Sequence, residues 1–179
     1  MTNTLQIKLL SDNATMPKRE HDTDAGFDIH AAETVVLEPQ EKALIATDIA
    51  VNIPKGYVGL LTSRSGVSSK THLVIETGKI DAGYQGHMQI NIKNDYINLK
   101  EYDEAKIDTN YGDVMYPIYN VDGQANYDKI YDNPVYKINK GDRLAQLVIV
   151  PIITPELEQV EEFDSESARG EKGFGSSGI

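Results

Sequence analysis

The apolar residues of this 179-residue chain lie in short segments rich in β-branched side chains, which glycine and proline separate. Residues 88–93 alternate strictly between apolar and polar side chains, as in a strand with one buried face. Residues 147–150 are apolar throughout, which is typical of a strand covered on both faces. No longer segment holds an apolar period of 3.6, and only 65–72 favours a short helix. The pattern predicts a single all-β domain, either a sandwich or a barrel.

The composition excludes several classes of function. Acidic residues outnumber basic residues by 28 to 17, so the net charge is −11 with neutral histidine. Broad nucleic-acid-binding surfaces need a surplus of lysine and arginine, so we expect no direct contact with nucleic acid. The chain has no cysteine, which removes disulfides, thiolate metal sites and cysteine nucleophiles. Neither a long apolar segment nor a secretory signal is visible, so we expect a cytoplasmic protein without membrane contact.

The composition of residues 95–136 differs from that of the rest of the chain. This segment holds eight of the ten tyrosines, and nine acidic residues against three lysines. We interpret it as an insert with its own character. One alternative is a long solvated excursion from the fold. The other is a binding surface, because tyrosine provides a large contact area at a low cost in conformational entropy.

Five short segments contain residue types that carry chemistry. They are 24–28 (DAGFD), 63–67 (SRSGV), 77–86 (TGKIDAGYQG), 141–147 (GDRLAQL) and 169–178 (RGEKGFGSSG). The second segment leads into the predicted helix, whose first N–H groups suit a phosphate. The third combines a carboxylate, able to act as a general base, with an aromatic ring that can stack. The fifth has the glycines, serines and arginine of a phosphate cradle. Taken singly, each segment is more typical of a turn or a frayed terminus.

Taken together and in this order, the five segments resemble the motifs of the trimeric dUTP pyrophosphatases. The resemblance covers nearly the whole chain except about 95–136. The presence of an insert before the fourth motif makes the chain most similar to the dUTP pyrophosphatases of staphylococcal phages. A phage-encoded enzyme would work in the cytoplasm of the host bacterium. The resemblance implies a homotrimer of the jelly-roll type, in which a C-terminal arm crosses to a neighbouring subunit. It also implies hydrolysis of dUTP to dUMP and pyrophosphate with Mg²⁺.

The same resemblance implies roles for particular residues. Asp81 would be the general base that activates water for attack at the α-phosphorus. Tyr84 would pack under the deoxyribose, and Asp28 would reach Mg²⁺ through a water molecule. The second and fourth motifs would hold the phosphates, the backbone around the third would bind uracil, and the fifth would close over the nucleotide. The other predicted substrate-binding residues are Arg64, Ser65, Gly66, Gly78, Ile80, Met88, Gln89, Gln146, Arg169, Gly173, Phe174, Gly175, Ser176 and Ser177.

The domain organisation follows from the motifs and the composition. We predict a β core from 1–94 and 137–163, the tyrosine-rich acidic insert at 95–136, and a flexible arm at 164–179 that closes the active site. Alone, the arm has too few large apolar side chains to order itself. Its predicted function therefore depends on a neighbouring subunit of the trimer.

Two other interpretations remain open. The dCTP deaminases resemble this fold and its third motif, but their catalytic glutamate would fall at Asn91, and residues 88–94 contain no acid. An amide cannot shuttle a proton, which disfavours deamination. The second alternative is a binding module that acts through the insert. The resemblance to staphylococcal phage enzymes implies that a pathogenicity-island repressor is a candidate partner, beside or instead of catalysis.

Overall fold

The computed structural model of the chain describes residues 4–97, 107–108, 114–165, 167 and 170. Strands dominate this part of the chain, which confirms the predicted all-β class. The elements are β1 (Gln6–Leu9), β2 (Gly26–His30), β3 (Val35–Leu37), β4 (Lys42–Asn52), β5 (Tyr57–Ser63), α1 (Ser65–Lys70), β6 (Leu73–Ile75), β7 (Gly78–Ile80), β8 (Met88–Asn94), β9 (Ile107–Asp108), β10 (Val114–Asn120), β11 (Ala125–Tyr131), β12 (Val135–Ile138) and β13 (Arg143–Pro151).

The strands form three sheets. The first has the order β1-β4-β8-β6, and the second has the order β2-β13-β5-β7. The third has the order β11-β10-β12-β3, with β9 paired to β10. Within the described residues every strand pair is antiparallel except β10 with β12, which is parallel. Most neighbours within a sheet are distant in sequence, so residues from separate motifs are brought side by side.

Apolar side chains from all three sheets form one core. Its members include Leu37, Ile45, Leu61, Ile90, Ile138 and Leu147. In β8 the apolar residues are buried and those between them are more exposed, as the alternation at 88–93 predicts. Each fully buried side chain of this size contributes about 1.5–3 kcal/mol through removal of apolar surface from water.

Other local predictions can be compared with the structure. The short helix predicted at 65–72 is present as α1. The apolar segment at 147–150 is less covered than expected, because Leu147 is buried while 148–150 are half-buried. A single chain therefore leaves both faces of β13 partly open at 148–150. In the part of the chain that the structure describes, no helix is long and apolar enough to cross a membrane.

Much of the tyrosine-rich segment is β structure. Strands β10 and β11 form a hairpin, and β10 pairs with β12, which in turn pairs with β3 of the core. The side chains of Tyr116 and Ile118 are buried. The hairpin therefore packs against the core and continues one of its sheets. The limits at 95–136 stay a prediction, because most of 98–113 lies outside the described residues.

Candidate active site

A cavity of about 450 Å³ lies between α1 and the turn that precedes β13. The second and fourth predicted motifs meet in its wall, through Arg64 and Gly66 on one side and 141–143 on the other. Strand pairing explains this meeting, because Ser63 at the end of β5 lies opposite Ala145 in β13. The backbone N–H of Arg64 also donates to the carbonyl of Leu144 at 3.2 Å.

Asp28 organises the polar groups beside this cavity. It lies in β2 opposite Gln146 of β13 and is only 3% exposed. Its Oδ1 accepts from Nε of Arg64 at 2.8 Å and from Nε2 of Gln146 at 3.4 Å. Its Oδ2 accepts from Nη1 of Arg143 at 3.3 Å. One buried carboxylate therefore holds two guanidinium groups and an amide in fixed positions, which suits an anionic ligand.

Arg143 is a site residue that the sequence reasoning missed. It belongs to the fourth motif, and a second arginine beside a phosphate-binding glycine turn was the signal available for it. Its Nη1 also donates to Oε2 of Glu20 at 3.2 Å. The cation is thus held from two sides, at Asp28 and at Glu20.

His30 lies at the same end of β2 and adds little positive charge to the site. Burial lowers the pKa of His30, the nearby Asp28 carboxylate opposes this shift, and the positive charges of Arg143, Arg64 and Lys18 lower the pKa further. Its ring is therefore neutral at pH 7. Among the groups around Asp28, the positive charge is carried by the guanidinium groups of Arg64 and Arg143.

The third motif forms a separate, exposed turn. Asp81 follows β7, which pairs with β5 in the same sheet as β13. The N–H of Tyr84 donates to the carbonyl of Asp81 at 3.1 Å, and Gly83 has a φ of +94°. The side chain of Tyr84 is 48% exposed, and that of Asp81 is also exposed. Although both residues are described, neither lines the cavity that contains Arg64. Asp81 and Tyr84 are therefore not part of the cavity wall that carries the two arginines.

The ring of Tyr84 is held in a defined orientation. Its hydroxyl donates to the carbonyl of His87 at 3.0 Å. Gly86 lies directly against the ring, because a Cβ at that position would be 2.7 Å from the tyrosine hydroxyl. A side chain at position 86 would displace the ring, so this position of the ring requires glycine there. The exposed face of the ring is therefore presented in a fixed direction.

Strand β4 supports the hairpin between β7 and β8. The hydroxyl of Thr47 donates to the carbonyl of Met88, and the N–H of Asp48 donates to Nε2 of His87 at 3.0 Å. The side chain of Met88 is buried in the core. Any contact of this residue with a ligand is therefore limited to its backbone. Gln89 is exposed, while Gly78 and Ile80 are half-buried.

The fifth motif cannot be compared with the structure. Its predicted ligands Arg169, Gly173, Phe174, Gly175, Ser176 and Ser177 lie outside the described residues. The chain that leads to them, 152–165, has no regular secondary structure. It carries exposed apolar side chains at Ile153, Leu157 and Phe163. Ser65 of the second motif is also exposed, at the first position of α1.

Comparisons with known proteins identify the family. The dUTPase family model matches residues 12–104 and 131–178. The deoxyuridine 5'-triphosphate nucleotidohydrolase of Mycobacterium marinum is 36% identical over 184 residues, which cover 99% of this chain and 97% of that protein. The chain therefore belongs to the dUTPase family.

Solved structures extend this result. The dUTPase of Staphylococcus bacteriophage 80alpha with dUpNHpp has a TM-score of 0.87 and 64% identity, and the match covers 99% of this chain and 100% of that one. The dUTPase of phage phi11 of S. aureus, described by its species-specific insert, has a TM-score of 0.79 and 62% identity over 92% of this chain and 100% of that one. The predicted similarity to staphylococcal phage enzymes is confirmed.

Proposed function

We propose that this protein hydrolyses dUTP to dUMP and pyrophosphate, with Asp81 as the general base. The observation that carries the proposal is the cluster in which Asp28 holds Arg64, Arg143 and Gln146 beside the cavity. Cations fixed in advance by a buried carboxylate suit a triphosphate, because they need no reorganisation when the ligand binds. The named activity of the mycobacterial relative and the dUpNHpp complex of the phage 80alpha enzyme agree with this substrate.

The net charge of −11 does not prevent binding of a polyanion. Exposed charges are screened beyond about 8–10 Å at physiological ionic strength. The two arginines act at contact distance, where screening is weak. The excess of acid slows the encounter of enzyme and substrate more than it weakens the complex.

Recognition of the deoxynucleoside falls to the third motif. The ring of Tyr84, fixed by His87 and Gly86, would pack under the deoxyribose and leave no room for a 2′-hydroxyl. The hairpin backbone around Gly78, Ile80, Met88 and Gln89 would pair with the edge of uracil. Backbone donors and acceptors are well suited to this task, because β4 holds the hairpin in place. A 5-methyl group would collide with the same tyrosine ring.

We further propose that each active site is shared in a homotrimer. Asp81 and Tyr84 are exposed and lie outside the cavity of their own chain. A neighbouring subunit could present them to that cavity, and the arm at 164–179 of another subunit would close over the nucleotide. In the arm, Arg169, Ser176 and Ser177 would bind the terminal phosphate, and Phe174 would stack on the base. The exposed apolar side chains of 152–163 support such a crossing, since another subunit would cover them.

The residues around Asp28 fit a Mg²⁺ ion that binds together with the triphosphate. In the described residues no group of three acidic or histidine side chains is placed to hold a metal ion. Mg²⁺ would therefore take mainly phosphate oxygens and water, as it usually does. Oδ2 of Asp28 accepts one hydrogen bond from the protein, so it can accept another from a metal-bound water. When bound, the ion would neutralise charge on the phosphates.

The test is release of pyrophosphate from dUTP, compared with dTTP, dCTP and UTP. We expect hydrolysis of dUTP alone. Asp81→Asn should lower kcat by about 10²–10⁴-fold while dUpNHpp still binds, because an amide keeps the size of the side chain but cannot accept the proton. Near wild-type turnover of this variant would refute the role of Asp81. Ammonia released from dCTP would instead support the deaminase alternative.

A second function, binding of a pathogenicity-island repressor, has separate support. The hairpin of β10 and β11 exposes Tyr127 and Ile130. The phage 80alpha dUTPases are described as controlling transfer of virulence genes. We propose that the exposed face of this hairpin contributes to repressor binding. Tyr127→Ala with Ile130→Ser should weaken capture of purified repressor at least tenfold and leave dUTP hydrolysis unchanged. Unchanged capture would refute this surface.

A further inference from the structure

The turn between β10 and β11 lies against the end of helix α1. Gly123 in this turn has a φ of +81°, and a Cβ there would lie 2.4 Å from the carbonyl oxygen of Lys70. The turn is closed by hydrogen bonds from the N–H of Gly123 to the carbonyl of Asn120 at 3.0 Å, and from the N–H of Asn120 to the carbonyl of Gln124 at 2.9 Å. Such a close approach of two backbones fixes the position of Lys70.

Lys70 lines the same cavity as Arg64 and Arg143, and its side chain is exposed. Both arginines are already paired, through Asp28 for each and through Glu20 for Arg143. Lys70 makes no ion pair with any residue that the structure describes. Its charge is therefore available for a ligand.

Each of the two acidic residues in the cavity wall, Asp122 and Asp142, accepts a hydrogen bond from a backbone N–H of its own turn. Oδ1 of Asp122 accepts from the N–H of Gln124 at 3.0 Å. Oδ2 of Asp142 accepts from the N–H of Asn139 at 2.7 Å. Among the described residues, neither carboxylate forms an ion pair with Lys70.

We propose that Lys70 binds the terminal phosphate of the triphosphate, and that Gly123 positions Lys70 for this contact. The proposal rests on the proposed function of the cavity and adds a phosphate ligand to it. Helix α1 has six residues, so its ends are about 7–8 Å apart along the axis. Arg64 precedes α1 and Lys70 ends it, so the two cations approach the cavity from opposite ends of the helix. A flexible ammonium group suits a terminal phosphate, which presents several oxygens.

The experiment compares Lys70→Gln with Lys55→Gln, which removes the same charge from an exposed lysine in the turn before β5. Calorimetry with inorganic tripolyphosphate measures phosphate binding without any nucleoside. We expect binding to weaken about tenfold in Lys70→Gln and to change less than twofold in Lys55→Gln. Lys70→Arg should restore most of the affinity, because it restores the charge.

Steady-state kinetics distinguish a contact with the terminal phosphate from a purely structural role of Lys70. In Lys70→Gln the KM for dUTP should rise about tenfold, while kcat and the inhibition constant of dUMP stay within about twofold. The product dUMP has no terminal phosphate and does not reach the lysine. Equal weakening of dUTP and dUMP, or no change in either, would overturn the proposal.

Failure of this proposal can be separated from failure of the proposed function. If the wild-type protein binds tripolyphosphate through Lys70 but releases no pyrophosphate from dUTP, the phosphate site stands and the hydrolysis is refuted. If it hydrolyses dUTP and Lys70→Gln binds tripolyphosphate normally, the hydrolysis stands and the role of Lys70 is refuted.

The positioning role of Gly123 has its own matched control. Gly56 has a φ of +85°, but a Cβ there would meet nothing within 4 Å. Gly56→Ala therefore carries the backbone strain of Gly123→Ala without the collision. We expect Gly123→Ala to raise the dUTP KM about fivefold more than Gly56→Ala, since α1 must shift at Lys70. Equal KM values in the two folded variants would overturn the positioning role.

Discussion

Replacement of Asp28 by asparagine is the sharpest test of the buried cluster. Asparagine keeps the size of the side chain but removes the charge that faces Arg64 and Arg143. Breaking a fully buried ion pair by removal of one partner costs about 3–5 kcal/mol. The side chains of Arg64 and Arg143 are 26% and 42% exposed, so water recovers part of the loss. We expect the free energy of unfolding to fall by about 2–3 kcal/mol.

Thermal unfolding at a fixed protein concentration measures this change. In a domain of this size, 1 kcal/mol shifts Tm by roughly 2–4 °C, so Asp28→Asn should lower Tm by about 4–12 °C. The matched control is Glu20→Gln, which removes the exposed partner of Arg143 at 3.2 Å. An exposed pair contributes about 0–1 kcal/mol, so Tm should fall by no more than about 4 °C.

A double-mutant cycle with Arg64→Gln shows whether the two residues act together. Residues joined in one hydrogen-bond or ion-pair network, as Asp28 and Arg64 are, usually show a coupling energy of about 0.5–3 kcal/mol. The reasoning would be refuted if Asp28→Asn had no larger effect than Glu20→Gln. It would also be refuted if the effects of Asp28→Asn and Arg64→Gln were simply additive.

Three other predictions follow from the geometry. Gly86→Ala should displace the ring of Tyr84 and lower kcat/KM for dUTP by roughly 10–100-fold, which steady-state kinetics would measure. Burial lowers the pKa of His30 from 6.5, so the unfolded chain binds the proton first. Stability should therefore fall as the pH drops below about 6.5, and His30→Gln should flatten this dependence in urea titrations. Equimolar mixing of Asp81→Asn with a protein truncated after Ser165 should restore about a quarter of wild-type turnover, provided that subunits exchange; no recovery after demonstrated exchange would contradict the shared site.

The local parts of the fold were predictable from the sequence. The alternation of apolar and polar residues at 88–93 predicts a strand with one buried face, and the apolar residues of β8 are buried. The helix α1 follows a strand and lacks glycine or proline breaks after Gly66, so its place was also predictable. The motif order led to the family, and with it to Arg64 and Gln146.

The contacts that were missed depend on long-range pairing. The parallel pairing of β10 with β12, in which Ile118 lies opposite Val135, carries the turn at Gly123 to the end of α1. The spacing of residues in the sequence does not predict which residues of two distant strands lie opposite each other. Lys70 and Arg143 were missed for the same reason, because their value as cations depends on which acidic residues pair with the neighbouring arginines. Partial exposure of 148–150 was missed because the apolar pattern does not distinguish a face covered by the same chain from one left open.

The division of the site between a buried cluster and an exposed turn has a physical consequence for catalysis. The cluster around Asp28 is complete within one chain, so the phosphate contacts of Arg64 and Arg143 need only that chain to be folded. Asp81, by contrast, is exposed in its own chain. Oriented charges act more strongly in a site from which bulk water is excluded, so a base left in open solvent would lose much of this advantage. In the proposed mechanism, exclusion of water must therefore come from a neighbouring subunit and from the arm. A chain of this kind would hold its arginines in place as a single subunit but would enclose the triphosphate and hydrolyse dUTP efficiently only when assembled.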